Sequence, residues 1–291
     1  MARVVVVGSL NVDHTVRVER LPAPGETVSA TDYTFGLGGK GFNQAVTAAR
    51  MGADVVMVGC VGADTDGDLL FQALHEERID ASYVRRSELP TGRAHLVVDA
   101  NGQNSIVVVA GANAAASFPS AAIEDADVLL AQLECPLETV AVALAAARAA
   151  NVITILNPAP ARPLTDALLR QVDYLVPNAR ESEGLGAVEY HGTAIVTSGR
   201  DGARLLVPGQ GERRVPAFSV PVVDTTGAGD AFCGCFAAAL AENRSLSDAL
   251  RRASAAGACA VTRAGAFSSL PTRDEVEQLL SQAQGASESQ S

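Results

Sequence analysis

The chain has 291 residues, 33 acidic against 22 basic, for a formal net charge of −11, and 48% of its residues are hydrophobic. That length suffices for one large α/β domain or two small ones, and the apolar fraction excludes wholesale disorder. A charge this negative repels polyphosphate backbones and excludes nucleic acid as the main partner, so an anionic small molecule must be held by backbone N–H groups, helix N-termini or a metal ion.

In chain order, Val4–Val7 reads as a buried strand, too short an apolar run for a signal peptide, and it leads into Gly8-Ser-Leu-Asn11-Val12-Asp13. Asn11 and Asp13 fall beyond the strand's carboxyl end, where open α/β sheets hold ligands, although both are also ordinary turn formers. Thr15–Phe35 alternates apolar and polar residues around Pro22, Pro24 and Gly25. Gly36-Leu-Gly38-Gly39-Lys40-Gly41-Phe42-Asn43-Gln44 then opens a helix, Phe42–Met51. This run formally satisfies G-x-G-x-x-G, but a dinucleotide fingerprint follows the first strand of a βαβ unit, and Lys40 lacks the Ser or Thr of a Walker A loop. We read it as a glycine-rich floor from which Asn43 projects, suited to a polyhydroxylated ligand. A strand at Val55–Val58 and a helix at Gly67–Glu77 follow, then a hairpin, His95–Asp99 and Ser105–Val109, turning at Asn101-Gly102. With Thr15–Phe35 this hairpin predicts a small second sheet of antiparallel strands, about 14–35 and 91–110, that covers a site or joins two subunits.

Strands at Val128–Leu130, Val152–Leu156, Tyr174–Val176 and Ala194–Thr197 alternate with helical segments such as Pro136–Ala150. Continuous apolar strands separated by helices predict a parallel sheet covered on both faces. Their carboxyl ends carry Glu134, Asn178 and the run Thr197-Ser198-Gly199-Arg200-Asp201-Gly202, which together suggest one crevice. The strongest single feature is Asp224-Thr-Thr226-Gly227-Ala228-Gly229-Asp230 at the start of a helix, Ala228–Glu242. Glycines let backbone N–H groups approach an anion, the helix dipole adds attraction, and Asp230 is placed to take a proton from a hydroxyl. Helices at Ser245–Val261 and Arg273–Gln282 close a single domain, 1–283, with 284–291 as a tail. The five cysteines read as small buried hydrophobes in a reducing compartment, and the longest uncharged stretch, Ala100–Ile123, is too polar to cross a bilayer. A soluble, cytoplasmic protein is expected.

Gly38-Gly-Lys-Gly-Phe-Asn-Gln44 and Asp224-Thr-Thr-Gly-Ala-Gly-Asp230 resemble the two signatures of the ribokinase-like carbohydrate kinase family. Gly8–Asp13, Pro24–Thr27, Ala110–Asn113 and Asn157–Pro160 match in order, so the similarity runs from residue 4 to about residue 280. The resemblance implies an α/β fold, a three-layer αβα sandwich with a mostly parallel central sheet and a small β-sheet lid. It implies transfer of the γ-phosphoryl group of ATP to the 5-hydroxyl of D-ribose. Asp230 would be the base, with Gly227, Ala228 and Gly229 as the anion hole. The sugar positions would be Asn11, Val12, Asp13, Gly39, Lys40, Gly41, Phe42, Asn43, Glu134 and Asp230. Along ATP would lie Asn178, Thr197, Ser198, Gly199, Arg200, Asp201, Gly202, Gly229, Asp230 and Ser254. Asn178 and Glu181 would hold Mg²⁺ through water. Asp224, Thr226, Ala260, Arg263, Gly265 and Ser269 would hold K⁺, mainly by backbone carbonyls, and two subunits would pair through the lid.

Within the family, 2-deoxyribose, fructose or adenosine are the competing acceptors; an NAD-dependent oxidoreductase and a catalytically silent binding protein are the more distant alternatives. Two features depart from the family pattern. Only 18 residues separate Asn178 from Thr197, so the outer helix of that crossover must be short or missing. Arg93 and His95 occupy lid positions where the family carries small or apolar residues, with a bearing on sugar choice or the dimer contact.

Overall fold

The valine run near the N-terminus forms β1 (Arg3–Val7), whose four valines are buried in the computed structural model, which describes residues 2–185 and 190–288. A strand apolar on both faces belongs in the middle of a covered parallel sheet. The chain continues through β2 (Asn11–Arg17), β3 (Asp32–Gly38), α1 (Lys40–Arg50), β4 (Asp54–Gly62), α2 (Thr65–Glu76), β5 (Asp80–Ser87), β6 (Gly92–Val98) and β7 (Asn104–Val109). Next come β8 (Val128–Ala131), α3 (Leu137–Ala149), β9 (Ile153–Leu156), α4 (Asp166–Leu169), β10 (Tyr174–Leu175), α5 (Ala179–Gly184) and β11 (Thr193–Thr197). Two edge strands, β12 (Ala203–Val207) and β13 (Gly211–Val215), precede α6 (Ala228–Ala241), α7 (Leu246–Ala260) and α8 (Arg273–Glu288).

The large sheet has nine strands in the order β13-β12-β11-β10-β9-β8-β1-β4-β5. Seven pair in parallel, and at one edge β12 and β13 are added through antiparallel pairings, so that β12 alone runs against the rest. One apolar cluster, built around Val4, Val6, Phe42, Leu70, Phe236 and Leu250, packs α1, α2, α6 and α7 on one face. A second, around Val5, Val7, Leu129, Leu144 and Leu168, packs α3 and α4 on the other. The alternation Val4, Val6 against Val5, Val7 assigns successive side chains of one strand to opposite layers. The result is the expected αβα sandwich.

The lid is a separate four-stranded sheet, β3-β2-β6-β7. Both hairpins are antiparallel, as expected, but β2 and β6 meet in parallel, which the sequence pattern did not reveal. Asp64 anchors the base of the lid: it caps α2 through the Gly67 N–H at 2.9 Å and accepts from the Thr91 N–H at 2.8 Å.

Several boundaries differ from the expectation. β5, β12 and β13 were not anticipated, because Arg85-Arg86 and Glu212-Arg213-Arg214 give these edge strands polar exposed faces. α8 continues through Glu288, so most of the residues read as a tail are helical, while 289–291 lie outside the described residues. The crossover after Asn178 carries the six-residue α5, the short outer helix expected; 186–189 within it also lie outside the described residues. Among the described residues no helix is long and apolar enough to cross a membrane. All five cysteines are free, and four of them are buried.

Candidate active site

Asp230 lies in the first turn of α6 and is 8% exposed. Its Oδ2 accepts from Asn43 Nδ2 at 3.0 Å and its Oδ1 from Gln44 Nε2 at 2.9 Å. Two neighbouring amides at the start of α1 therefore grip both oxygens of one carboxylate at the start of α6. Hydrogen bonds of this kind, to a buried charge, contribute about 1.5–3 kcal/mol each. The glycines make the approach possible. Gly227 caps α6 in the left-handed conformation, φ 78°, and Gly39 precedes α1 at φ 94°. Among the described residues no acceptor meets the N–H groups of Gly227, Gly229 or Asp230, whereas the Ala228 N–H donates to the Thr225 carbonyl at 3.3 Å. The N–H groups of Gly227, Gly229 and Asp230 are thus free of protein acceptors, while that of Ala228 makes one long contact within the turn.

These groups face a cavity of about 190 Å³ lined by Lys40, Asn157, Val176, Asn178, Glu181, Thr197, Thr225, Gly227, Gly229, Asp230 and Cys233. It opens at the carboxyl ends of β9, β10 and β11, where ligands of open α/β sheets bind. A larger cavity, about 610 Å³, lies at the amino ends of the same strands around Arg148 and Asp173, and no expected site residue lines it.

On the lid side, Asn11 and Asp13 share one face of β2. Register places Gly38 and Gly92 beside Asn11, and Gly36 and Ala94 beside Asp13. Small residues are required there: a Cβ on Gly38 would lie 2.2 Å from Asp13 Oδ2, and one on Gly92 would lie 2.3 Å from Asn11 Oδ1. Asn113 fixes Asn11, accepting from the Leu10 N–H at 2.9 Å and donating to Asn11 Oδ1 at 2.7 Å. Glu134 accepts from the Ser9 hydroxyl and from the Lys40 N–H at 3.2 Å. Burial first, then the Glu134 and Asp230 charges, push the Asp13 carboxyl up to about 6. Burial of Lys40 opposes its charge, but Asp230, Glu134 and Glu181 more than offset this and hold the ammonium above its ordinary value. One lysine among several carboxylates keeps the crevice negative on the lid side.

Asn178 and Glu181 form a capping box at the start of α5, with Glu181 N–H to Asn178 Oδ1 and Asn178 N–H to Glu181 Oε2 both at 2.8 Å. Burial raises the Glu181 carboxyl above its usual range, countered in part by the Asn178 N–H and Lys40. The Asn178 oxygen is committed to this cap, so of the pair only Glu181 keeps an oxygen, Oε1, without a partner among the described residues. Thr197 lines the cavity, and Gly199 and Gly202, at φ 55° and 82°, shape the exposed turn that follows. Ser198, Arg200 and Asp201 belong to that turn, outside the cavity wall. Ser254 stands one turn before Gly257, the point where α7 touches the start of α6: a Cβ there would be 3.2 Å from the Ala228 carbonyl.

Asp224 organises the loop before α6. It accepts from Thr226 N–H and Oγ at 2.9 and 2.7 Å and from the Gly265 N–H at 2.9 Å. Burial opposes its charge, but these donors outweigh it and hold the carboxyl below its ordinary value. Arg263 turns its side chain to Glu275 and to the Ser269 carbonyl, 3.1 Å away, and Ala260 and Ser269 are buried beneath the loop. The Arg263 guanidinium is therefore part of an ion pair, which leaves its backbone carbonyl in the loop unaffected.

Two pairs of side chains on the lid side turn away from the crevice. Val12 and Phe42 are wholly buried and point into the apolar core, Phe42 against Phe267 at 5.3 Å between ring centroids. Their side chains pack; they do not face the crevice. Arg93 and His95 lie in register with Val12 and His14, on the lid face opposite Asp13. Arg93 pairs with Asp66 at 2.7 Å and His95 stacks on His14 at 5.2 Å, so neither side chain faces the sugar positions. What the sequence reading missed were Ser9, Gln44, Asn113, Gln132 and Asn157. Ser9, Gln44, Asn113 and Asn157 sit inside quoted motifs and Gln132 lies two residues before Glu134, but burial of a polar side chain leaves no periodic mark.

A model of the pfkB family of carbohydrate kinases matches residues 1–273. The chain is 41% identical to the ribokinase of Bacillus subtilis (strain 168) over 297 residues, covering 97% of this chain and 100% of that protein. It is 39% identical to the ribokinase of Haemophilus influenzae over 301 residues, covering 96% and 98%. The fold matches that of the Arabidopsis thaliana ribokinase solved with ribose and ATP, at a TM-score of 0.87 and 34% identity over 95% of this chain and 98% of that one.

Proposed function

This chain belongs to the pfkB family of carbohydrate kinases, and we propose that it transfers the γ-phosphoryl group of ATP to the 5-hydroxyl of D-ribose. The single observation that carries the proposal is the placement of Asp230. A carboxylate held by two amide donors stands beside free N–H groups at a helix N-terminus, with a second set of carboxylates on the lid side. Ionised carboxylates accept, and vicinal hydroxyls of a pentose donate, so Asp13 and Glu134 suit the sugar. Asn43 Oδ1, buried without a protein partner, supplies one more acceptor for a hydroxyl.

The sugar hydroxyl gives its proton to Asp230 as its oxygen attacks the γ-phosphorus. The O–P bond to the sugar forms, the bond to the β-phosphate oxygen breaks, and ADP leaves. Charge builds on the phosphoryl oxygens, where the Gly227, Gly229 and Asp230 amides and the α6 dipole face it. Lys40 adds a cation at the junction of the two halves.

Glu181, with one oxygen free of protein donors, would hold the waters of Mg²⁺, which neutralises phosphate charge when bound; Asn178 orients Glu181 and offers its amide N–H groups to phosphate. The backbone carbonyls of the loop around Asp224, Thr226, Ala260, Arg263, Gly265 and Ser269 would supply oxygen donors suited to K⁺, whose charge would order the anion-binding turn. Ser198–Gly202 and Ser254 would flank the adenosine. The exposed apolar strand β7, with Ile106, Val107, Val108 and Val109 each at least 45% exposed, supports a homodimer through the lid. Five unpaired thiols suit the cytoplasm.

Asp230→Asn tests the proposal. It should leave ribose and ATP binding by calorimetry near normal and lower kcat by roughly 10²–10⁴-fold. Near-normal turnover would refute the assignment of the base.

A further inference from the structure

Asp230 receives a hydrogen bond from Gln44 that the phosphoryl transfer itself does not use. Gln44 and Gln132, the latter following β8, are both 0% exposed. Gln132 Nε2 donates to Gln44 Oε1 at 2.6 Å. Gln44 Nε2 donates onward to Asp230 Oδ1 at 2.9 Å and to Asn157 Oδ1 at 3.2 Å. Asn157 Nδ2 ends the chain on the Val176 carbonyl at 2.8 Å. Three buried amides thus link the carboxyl ends of β8, β9 and β10 to one carboxylate.

A glutamine amide has nearly the same shape in both flip states, so packing alone does not decide which end faces Asp230. An oxygen there would repel the carboxylate, and the nitrogen binds it. Gln132 decides the matter by donating to the Gln44 oxygen, while Asn157 accepts from the nitrogen. Room for Gln132 comes from the residue after β1: a Cβ on Gly8 would sit 2.0 Å from Gln132 Oε1. Burying amides is costly unless their partners are matched: Asn157 is anchored on the Val176 carbonyl and Gln44 is matched at both ends, while Gln132 Oε1 is buried without a partner among the described residues, so Gln132 is held in this chain by its donor end.

We propose that Gln44 is a positioning residue for Asp230, and that Gln132 acts on catalysis only by setting the orientation of the Gln44 amide. This rests on Asp230 being the base. The experiment is a kinetic double-mutant cycle of Gln44→Met and Gln132→Met, with Asp230→Asn alongside. Gln44→Met should lower kcat roughly ten- to hundredfold, as loss of a buried hydrogen bond to a charged group does, and leave the ribose and ATP KM values within about threefold. Gln132→Met should lower kcat by less. The double variant should lose no more than Gln44→Met, since Gln132 then has nothing to orient.

Wild-type kcat in Gln44→Met, or a double variant losing the product of the two single effects, overturns the proposal. If Gln44→Met does not fold, Gln44→Glu keeps the volume and exchanges the donor for an acceptor. It should slow turnover at least as much, and unchanged turnover there is equally decisive against the proposal. The two readings separate cleanly. Undiminished turnover in Asp230→Asn sinks the base, whereas a collapse there with no effect at Gln44 sinks the relay alone.

Discussion

At the scale of single residues, Asp13, the proposed sugar contact, would set function against stability. Its carboxyl is raised to about 6 by burial and by Glu134 and Asp230. An acid whose folded value exceeds its unfolded one stabilises below the unfolded value, near 3.8, and that contribution is lost as pH rises through about 6. Near neutral pH the ionised side chain therefore destabilises the free protein. Asp13→Asn should raise Tm at pH 7.5 by on the order of 3–5 °C, bring no gain at pH 4, and cripple ribose binding. In the unaltered enzyme, KM for ribose should rise as pH falls below about 6, since hydroxyl donors need the carboxylate. Thermal scans of both proteins and a KM–pH series check this; a flat KM between pH 5 and 8 would contradict it. Asp230, Asn43 and Glu134 were legible in the sequence because glycine-rich turns and strand ends mark them. Gln44 stood next to Asn43 and passed unread, since only the fold shows that both amides reach the same carboxylate.

Elements show why some glycines are where they are. Cys233-Gly-Cys235 has the wrong spacing for a redox Cys-x-x-Cys pair and no second Cys/His pair to complete a zinc site. The structure gives its glycine a use in packing: a Cβ on Gly234 would lie 2.4 Å from the Gln44 carbonyl oxygen and 2.7 Å from Thr47 Cβ. α6 and α1 cross at this glycine, and the crossing brings Asp230 to Asn43 and Gln44. Gly234→Val should force the helices apart, destabilise the protein by about 2 kcal/mol or more, and lower kcat beyond any effect on ATP binding. Denaturant unfolding with parallel kinetics checks it, and an unchanged midpoint would show that the helices yield freely. The lid strands were legible from alternation and the Asn-Gly turn. Their parallel β2–β6 junction was not, because it pairs residues about 80 positions apart, Asn11 with Gly92. Val107→Lys on the exposed edge strand should convert the expected dimer to a monomer by light scattering, whereas an unaltered dimer would place the interface elsewhere.

For the whole molecule, the net charge of −11 is the feature an ATP enzyme has to work around. The crevice offers anions backbone N–H groups, a helix N-terminus and Lys40, set among Asp13, Glu134, Glu181 and Asp230. An enzyme so short of fixed cations should lean on its ions: exchanging K⁺ for Na⁺ should lower kcat several-fold, and stripping Mg²⁺ should abolish turnover. The layer order followed from sequence because buried strands are continuously apolar; the polar edge strands escaped for the converse reason. Acceptor choice is read from steady-state ADP release with D-ribose, 2-deoxyribose, fructose and adenosine, at saturating ATP with Mg²⁺ and K⁺. D-ribose should have the highest kcat/KM, with the phosphate on its 5-oxygen, and a higher value for any of the other three would contradict the assignment.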